Sequence, residues 1–422
     1  MGIVEWFLGI HFSWRITPST VAVHLNQSGF ASNLVESFFG DTRNPTPTAT
    51  PYRSGVPIDS IAPSTDADDS PAQLRRKEAY QSLIGSIGWL AHTTRPDLST
   101  VHSFLASYSN KPAVGHMKAA LYALHYIHST HDYGISFTSD AMAPMHCYVH
   151  YPPSTDVEAY TDAIPPTTNT SSTLSSYSDA CWGSQIGNAV SDGTLLPLFK
   201  FRSMSGGIVF RNGGPLGWLS ERQERTSLSS CEAEIRATNA TSKKVVDFRH
   251  LCQSMSEAGH NLPDATQPTL LYNDNDACVK WSHNMTSKAA RHIELRENSV
   301  REWVQDNSLN VLHIAGKLNP SDIFTKEMRD GAHFRRLRDS FMSRFSDFLQ
   351  DSLLAVHHTR PSLSTSLVPA AATVARSAGL ASYFTALASS SFCRDLTTIS
   401  HLCSTGRQLI RELHGFIPSG VF

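Results

Sequence analysis

Across residues 173–345 the chain reads as strand, strand, strand, helix, strand, helix, helix, strand, helix, and four acids stand where a strand-like run ends or a helix opens. They are Asp179 in Y-S-D-A-C-W, Glu234 in S-S-C-E-A-E-I-R-A, Asp274 in L-Y-N-D-N-D and Asp322 in N-P-S-D-I. An alternating pattern of this kind builds a sheet covered by helices, and a sheet can gather the ends of separate strands at one point. Four carboxylates gathered there repel one another unless divalent cations lie among them, and oxygen ligands suit magnesium or manganese. Two such ions held by carboxylates form a known device for phosphodiester hydrolysis.

Three of the acids also have a purely structural reading. Asp322 follows Asn319, a candidate helix cap, and Asp274 stands where it would cap the helix after its strand. Asp179 alone is an ordinary strand-end acid. The long helix expected over residues 230–256 carries two glutamates, and its periodicity separates them. Wound at about 100° per residue, Ala233, Ala237, Ala240, Phe248 and Leu251 form one stripe with Glu234 at its edge. Glu232 falls on the other flank beside Arg236 and Lys243, and reads as a solvated i,i+4 partner of Arg236.

The formal net charge of −2 excludes a uniformly basic coat, so any phosphate-binding surface must be local. Arg222, Arg225, Lys243, Lys244, Arg249, Lys326, Arg335, Arg336 and Arg338 are candidates for lining such a groove, and read equally well as solvated helix faces. Seven cysteines without a C-x-x-C pair read as reduced thiols of an intracellular protein with no zinc site. His125, His128 and His131 recur at three-residue spacing on an expected helix, but no carboxylate completes a metal set. No window is long and apolar enough to span a bilayer, and the opening M-G-I-V-E-W-F-L-G-I lacks the basic region and cleavage site of a signal peptide.

Composition divides the rest. Residues 4–39 read as strand, turn and helix, and 41–72, rich in Pro, Ser and Thr, as a linker. Helical spacing resumes with Tyr80, Leu83, Ile84, Ile87 and Leu90, and continues to about residue 137. A second Pro/Ser/Thr-rich linker covers 138–172. The tail, 346–422, is Ser- and Ala-rich with weak periodicity.

These residues carry a resemblance. The motifs Tyr177 to Trp182, Arg202 to Phe210, Trp218 to Gln223, Leu228 to Glu234, Tyr272 to Asn275, Arg291 to Arg296 and Ser321 to Lys326 resemble the ribonuclease H domain of copia-type (Pseudoviridae) retrotransposon Pol polyproteins. Phe7-Leu8-Gly9-Ile10, Y-Q-S-L-I-G-S-I-G-W-L-A at 80–91, T-R-P-D-L at 94–98 and H-M-K-A-A-L-Y-A-L-H-Y-I at 116–127 are similar to the C-terminal end of the same elements' reverse transcriptase. The resemblance implies residues 1–137 as a thumb- or connection-like reverse-transcriptase part and 173–345 as a ribonuclease H domain. The implied fold is α/β, a mixed five-stranded sheet flanked by helices and preceded by a helical connection segment.

It further implies that Asp179, Glu234, Asp274 and Asp322 hold two Mg2+ or Mn2+ ions and cut the RNA strand of an RNA/DNA hybrid, in a cytoplasmic particle or the nucleus. Asp179 would bridge both ions, with Glu234 and Asp274 on the first and Asp322 on the second. The polymerase portion of the same polyprotein is the expected partner, and no membrane is. The polymerase motif Y-x-D-D is absent, the lone Asp-Asp pair, Asp68-Asp69, lying in the Pro/Ser-rich stretch. Two departures are plain: Cys181 stands where the family usually has a second acid, and the loop Gly316-Lys317-Leu318-Asn319 lacks the proton-shuttling histidine of cellular relatives. The alternatives are a non-catalytic retroelement remnant and a nucleic-acid-binding connection module whose acids are structural.

Overall fold

In chain order the elements are β1 (Trp6–Phe7), β2 (Ile10–Ile16), β3 (Val21–Asn26), α1 (Ser28–Phe39), α2 (Pro71–Thr93), α3 (Ser99–Ala106), α4 (Val114–Ser129) and β4 (Tyr133–Thr138). Then come β5 (Ser175–Cys181), β6 (Met204–Arg211), β7 (Gly214–Arg222), α5 (Ser230–Glu257), β8 (Thr269–Asn273), α6 (Asp276–His283), α7 (Ser299–Gln305), β9 (Leu309–His313), α8 (Gly331–Asp339) and β10 (Ser343–Arg344). The structure, a computed structural model, describes residues 3–17, 20–40, 46–53, 57–62, 64–139, 173–183, 202–260, 262, 267–284 and 295–349. All of these fall in the unit Met1–Pro361. Arg291 to Glu294 of the R-H-I-E motif, most of linker 138–172 and the tail from residue 350 lie outside the described residues.

The strands form two sheets. One has the order β7-β6-β5-β8-β9. In it β5, β6 and β7 run antiparallel, while β5, β8 and β9 run parallel. This is the mixed five-stranded sheet expected from the sequence. The β6–β7 hairpin closes through Asn212 and Gly213, whose φ values of 53° and 77° are the left-handed pair that suits a tight hairpin turn.

The second sheet, β1-β2-β3-β4-β10, is antiparallel throughout. It adds a sheet to the N-terminal connection segment, for which the sequence suggested helices and a single strand. Residues 10–26 form a hairpin in place of a single strand, and β10, far along the chain, pairs with β4. Period-2 burial is weak in β3, where five consecutive residues from Ala22 to Asn26 are buried, so alternation alone does not reveal it.

Two consecutive glycines show how the mixed sheet is covered on both faces. A Cβ on Gly207 would collide with the Thr241 hydroxyl of α5, while one on Gly206 would come within 2.6 Å of Thr325 Cγ2 and 2.9 Å of the Ser321 carbonyl. Successive strand residues face opposite sides, so the pair admits a helix on one face and the 320–325 turn on the other. On the Gly207 face, Ile235, Leu271, Cys278, Trp281, Val300 and Val311 pack into a core shared by α5, α6, α7 and the sheet.

On the Gly206 face the cover comes partly from the N-terminal segment. Trp218 Nε1 donates to the Ala91 carbonyl of α2 at 2.7 Å, and Phe324 stacks on Phe341 at 6.0 Å. The helix α2 starts cleanly because Ser70 caps it and Pro71 occupies its first turn. Its Tyr80, Leu83, Ile87 and Leu90 are fully buried, as their helical spacing requires.

The T-R-P-D-L motif is a buried anchor. Arg95 and Asp97 pair at 2.8 Å with side chains 1% and 0% exposed. Tyr126 donates to Asp97 at 2.6 Å, and Arg338 of α8 donates to Tyr126 and Tyr133. A buried ion pair is tolerable only when its remaining hydrogen-bonding capacity is met, which Thr130 completes on the Arg95 side.

Candidate metal centre

Strand parity, a helix on the far face and a short turn bring the acids together. Asp179 lies opposite Gly206 on the face covered by the 320–325 turn, and Ser178 lies opposite Gly207 on the α5 face. Asp274 is the first residue beyond β8, which runs parallel to β5. Glu234 sits in the second turn of α5. Carboxylate oxygens of Asp179, Glu234 and Asp274 all lie within 4.8 Å of one another.

Asp322 stands in a 3-10 turn, Pro320–Phe324, where the sequence suggested a longer helix. It lies outside the set of three, and next to burial its charge does most to raise Asp179 and Asp274. Asn319 fixes the turn: its Oδ1 accepts from Ser321 N at 3.0 Å, and its Nδ2 donates to the Ser178 carbonyl at 2.8 Å.

Burial and mutual repulsion raise the proton affinity of these acids. Burial, followed by repulsion from Asp322 and Asp274, pushes Asp179 up to about 8. Burial and then Asp179 and Asp274 push Glu234 up to about 9, and burial followed by Asp322 raises Asp274. Lys326 bonds Asp322 Oδ1 at 2.6 Å, and His333 Nε2 lies 3.7 Å from Asp322 Oδ2. Burial alone would lower Lys326, but the attraction and hydrogen bond of Asp322 outweigh it and hold its pKa above the usual lysine range.

Several residues that orient these acids escape a search for acids alone. Asn273 Nδ2 donates to Glu234 Oε2 at 2.9 Å, while its Oδ1 accepts from Asn275 N at 2.8 Å, which sets the amide orientation. Thr325 donates to Asp179 Oδ2 at 2.5 Å. The Thr-Lys pair closing S-D-I-F-T-K thus serves two different carboxylates. Its signal was in the motif, and Asn273 is a fully buried amide at the end of β8.

Glu232 needs a correction. Its i,i+4 pair with Arg236 is present at 2.6 Å, yet its side chain is 5% exposed, not solvated. Ser229 caps α5, and Glu232 Oε2 accepts from Leu228 N at 2.8 Å, so it closes a variant of the capping box just before the helix. The basic candidates also divide. Arg338 is 3% exposed and bonded to Tyr126, Tyr133 and Asp339, which withdraws it from phosphate binding. Arg222 is paired with Asp59 at 2.7 Å and lies over the Phe104 ring, and it is withdrawn for the same reason. Arg225, Lys243, Arg335 and Arg336 are exposed and Lys244 is half-buried. Among the described residues the three acids are the one close group of metal-ligand type, and His125 packs against Phe39 instead.

The donor set fits a hard divalent ion: three carboxylates with raised proton affinity, Asp179 and Glu234 buried and Asp274 half-buried, all offering oxygen. Among the described residues, no helix is long and apolar enough to cross a membrane.

Comparison with known proteins finds similarity to retrotransposon polyproteins. The chain is 25% identical over 304 residues, 72% of its length, to the retrovirus-related Pol polyprotein from transposon TNT 1-94 of Nicotiana tabacum, covering 19% of that protein. It is 26% identical over 250 residues, 59% of its length, to the Pol polyprotein from transposon RE2 of Arabidopsis thaliana, covering 14%. A third relative, the secreted RxLR effector protein 161 of Plasmopara viticola, is 28% identical over 167 residues, 40% of this chain and 89% of that protein. The chain thus spans under a fifth of the two polyproteins. No family model and no solved structure matches it.

Proposed function

From a chain that is a relative of copia-type retrotransposon Pol polyproteins, we propose a metal-dependent endonuclease that hydrolyses the RNA strand of RNA/DNA hybrids. The observation that carries this reading is the convergence of Asp179, Glu234 and Asp274 within 4.8 Å, beside Asp322 on its own turn. The mixed sheet with two antiparallel and two parallel neighbours, flanked by helices, agrees with a ribonuclease H domain over 173–345. In this reading residues 1–137 derive from the end of a reverse transcriptase, the partner being the polymerase portion of the same polyprotein.

Asp179, Glu234 and Asp274 would hold one Mg2+ or Mn2+, and Asp322 with Asp179 a second. Bound there, the ions would supply an activated water and charge stabilisation for the departing 3′ oxygen. The chain's own residues prepare the site. Asn273 holds Glu234 and Thr325 holds Asp179, so neither carboxylate must reorient when the site loads. Arg225, Lys243, Lys244, Arg335 and Arg336 remain as candidates to meet hybrid phosphates, and none reads a base. Selectivity for RNA would come from groove width and 2′-hydroxyl contacts.

The test is cleavage of a labelled RNA/DNA hybrid by the purified chain with Mg2+ or Mn2+. RNA fragments should appear, single-stranded DNA should stay intact, and primer extension should stay at background. Absence of cleavage with both metals at high enzyme concentration would favour the remnant.

A further inference from the structure

We infer that Thr100, together with Ser220, is a positioning pair for Asp322, so that the N-terminal segment is a working part of the metal centre. The inference rests on the nuclease reading above. Asp322 lies in a five-residue 3-10 turn, an element whose internal hydrogen bonds are few and poorly aligned. Asn319 fastens the start of the turn, and the carbonyls that follow Asp322 are held from outside it.

Two hydroxyls do this. Thr100 of α3 donates to the Ile323 carbonyl at 2.6 Å, and Ser220 of β7 donates to the Phe324 carbonyl at 2.7 Å. The two hydroxyls are 3.3 Å apart, with Ser220 also within reach of Thr100 Oγ1. They form a clamp on the carbonyls of Ile323 and Phe324, the two residues directly after Asp322. Thr100 is 1% exposed, so no solvent replaces its bond when it is lost.

The clamp joins distant parts of the chain. Thr100 stands 223 residues before Ile323. A second fastening lies close by: Ile58 N donates to Glu327 Oε1 at 2.7 Å, and neighbouring Asp59 is held by Arg222 and Tyr108. Beyond the turn, Thr325 and Lys326 reach Asp179 and Asp322. Displacing the turn would therefore shift Asp322 and both groups that set the charge balance of the site.

The full-length chain is tested as Thr100→Val, Thr100→Ser and Ser220→Ala, with Tyr80→Phe as a control. Tyr80 donates to the Leu105 carbonyl, so the control breaks a buried bond between α2 and the end of α3 without touching the turn. Mn2+ binding is measured by calorimetry without nucleic acid, alongside kcat and KM on the hybrid and the melting temperature.

Thr100→Val should weaken Mn2+ binding by roughly 3- to 10-fold, at or below the low end of effects seen when groups behind metal ligands are removed. It should lower kcat with KM little changed, Thr100→Ser should restore both, and Tyr80→Phe should lower the melting temperature at unchanged Mn2+ affinity. Wild-type Mn2+ binding and kcat in Thr100→Val would overturn the role of Thr100 while leaving the nuclease reading intact. So would a loss in Tyr80→Phe as large as in Thr100→Val, because the effect would then follow general stability. A wild-type chain that binds no Mn2+ and cuts no hybrid would overturn both.

Discussion

Metal-free protein should lose stability as pH rises from 7 to 8, and Asp179→Asn should remove about half of that loss. In the folded chain Asp179 is raised to about 8 from an ordinary 3.8, and Glu234 to about 9 from 4.5. Between its unfolded and folded values each carboxylate binds more proton in the folded state than in the unfolded one. Stability therefore falls with rising pH across that window and is unaffected below about pH 4, the reverse of a salt-bridged carboxylate. One retained proton corresponds to about 1.4 kcal/mol per pH unit. The two acids repel each other and titrate as a pair, so one to two protons give roughly 1–3 kcal/mol over this unit.

With an unfolding entropy of about 2.1 cal/mol/K per residue, that is a drop of about 1–5 °C for a chain of this size. Buried His24 and His102, both lowered to about 4, add stability only as pH rises toward 6.5, so they do not mask the effect. In the Asp179→Asn variant Thr325 can still donate to the side-chain amide oxygen, which keeps the local geometry. The assay is thermal unfolding in EDTA at pH 7 and 8, repeated with Mn2+. The ion at about 100 times its dissociation constant should restore about 2.7 kcal/mol at pH 8. A melting temperature in EDTA that is flat or rises with pH, or an equal fall in Asp179→Asn, would refute the reasoning.

Two further outcomes are expected. Glu234→Gln should abolish hybrid cleavage with folding intact, whereas Glu232→Gln should keep cleavage and lose about 1 kcal/mol of stability, measured by denaturant unfolding, through the weakened bond to Leu228 N and the lost Arg236 pair; the opposite pattern of activity would move the metal site to the other flank of α5. Arg338→Met should lower the melting temperature by several degrees, because it unties Tyr126 and Tyr133, while hybrid affinity in a binding assay stays within about twofold; a selective loss of affinity would return Arg338 to the phosphate-binding set.

The alternating pattern of 173–345 made the mixed sheet legible because its strands are short apolar runs separated by strong turn and cap signals. Asn212-Gly213 and Ser229 stand where the hairpin and α5 place them. The acids were legible because each ends a strand or stands on a helix or turn that abuts the sheet. Glu232 was misjudged for a physical reason. A helical wheel tells core from outer flank, but the four consecutive residues Glu232 to Ile235 of α5 are all buried, so a polar flank there is not a wet one. Capping chemistry, not periodicity, decides the fate of a glutamate three residues after a serine cap.

The stretch 41–72 shows the opposite failure. Its Pro, Ser and Thr content gives no period to follow, yet Tyr52, Ile58 and Asp59 are buried where described. A segment without regular structure can still be packed when isolated apolar side chains and backbone donors find fixed partners, as Ile58 does in Glu327. Nothing local in the sequence announces such a partner 269 residues away. The same holds for Thr100 and Ile323. A threonine inside a helix reads as a weak helix former, and only the third dimension shows that its hydroxyl supports the peptide next to an acid. Acids that bind metal are visible because the charge problem they create has few solutions, whereas the neutral groups that hold them are ordinary residues whose role is defined by position alone.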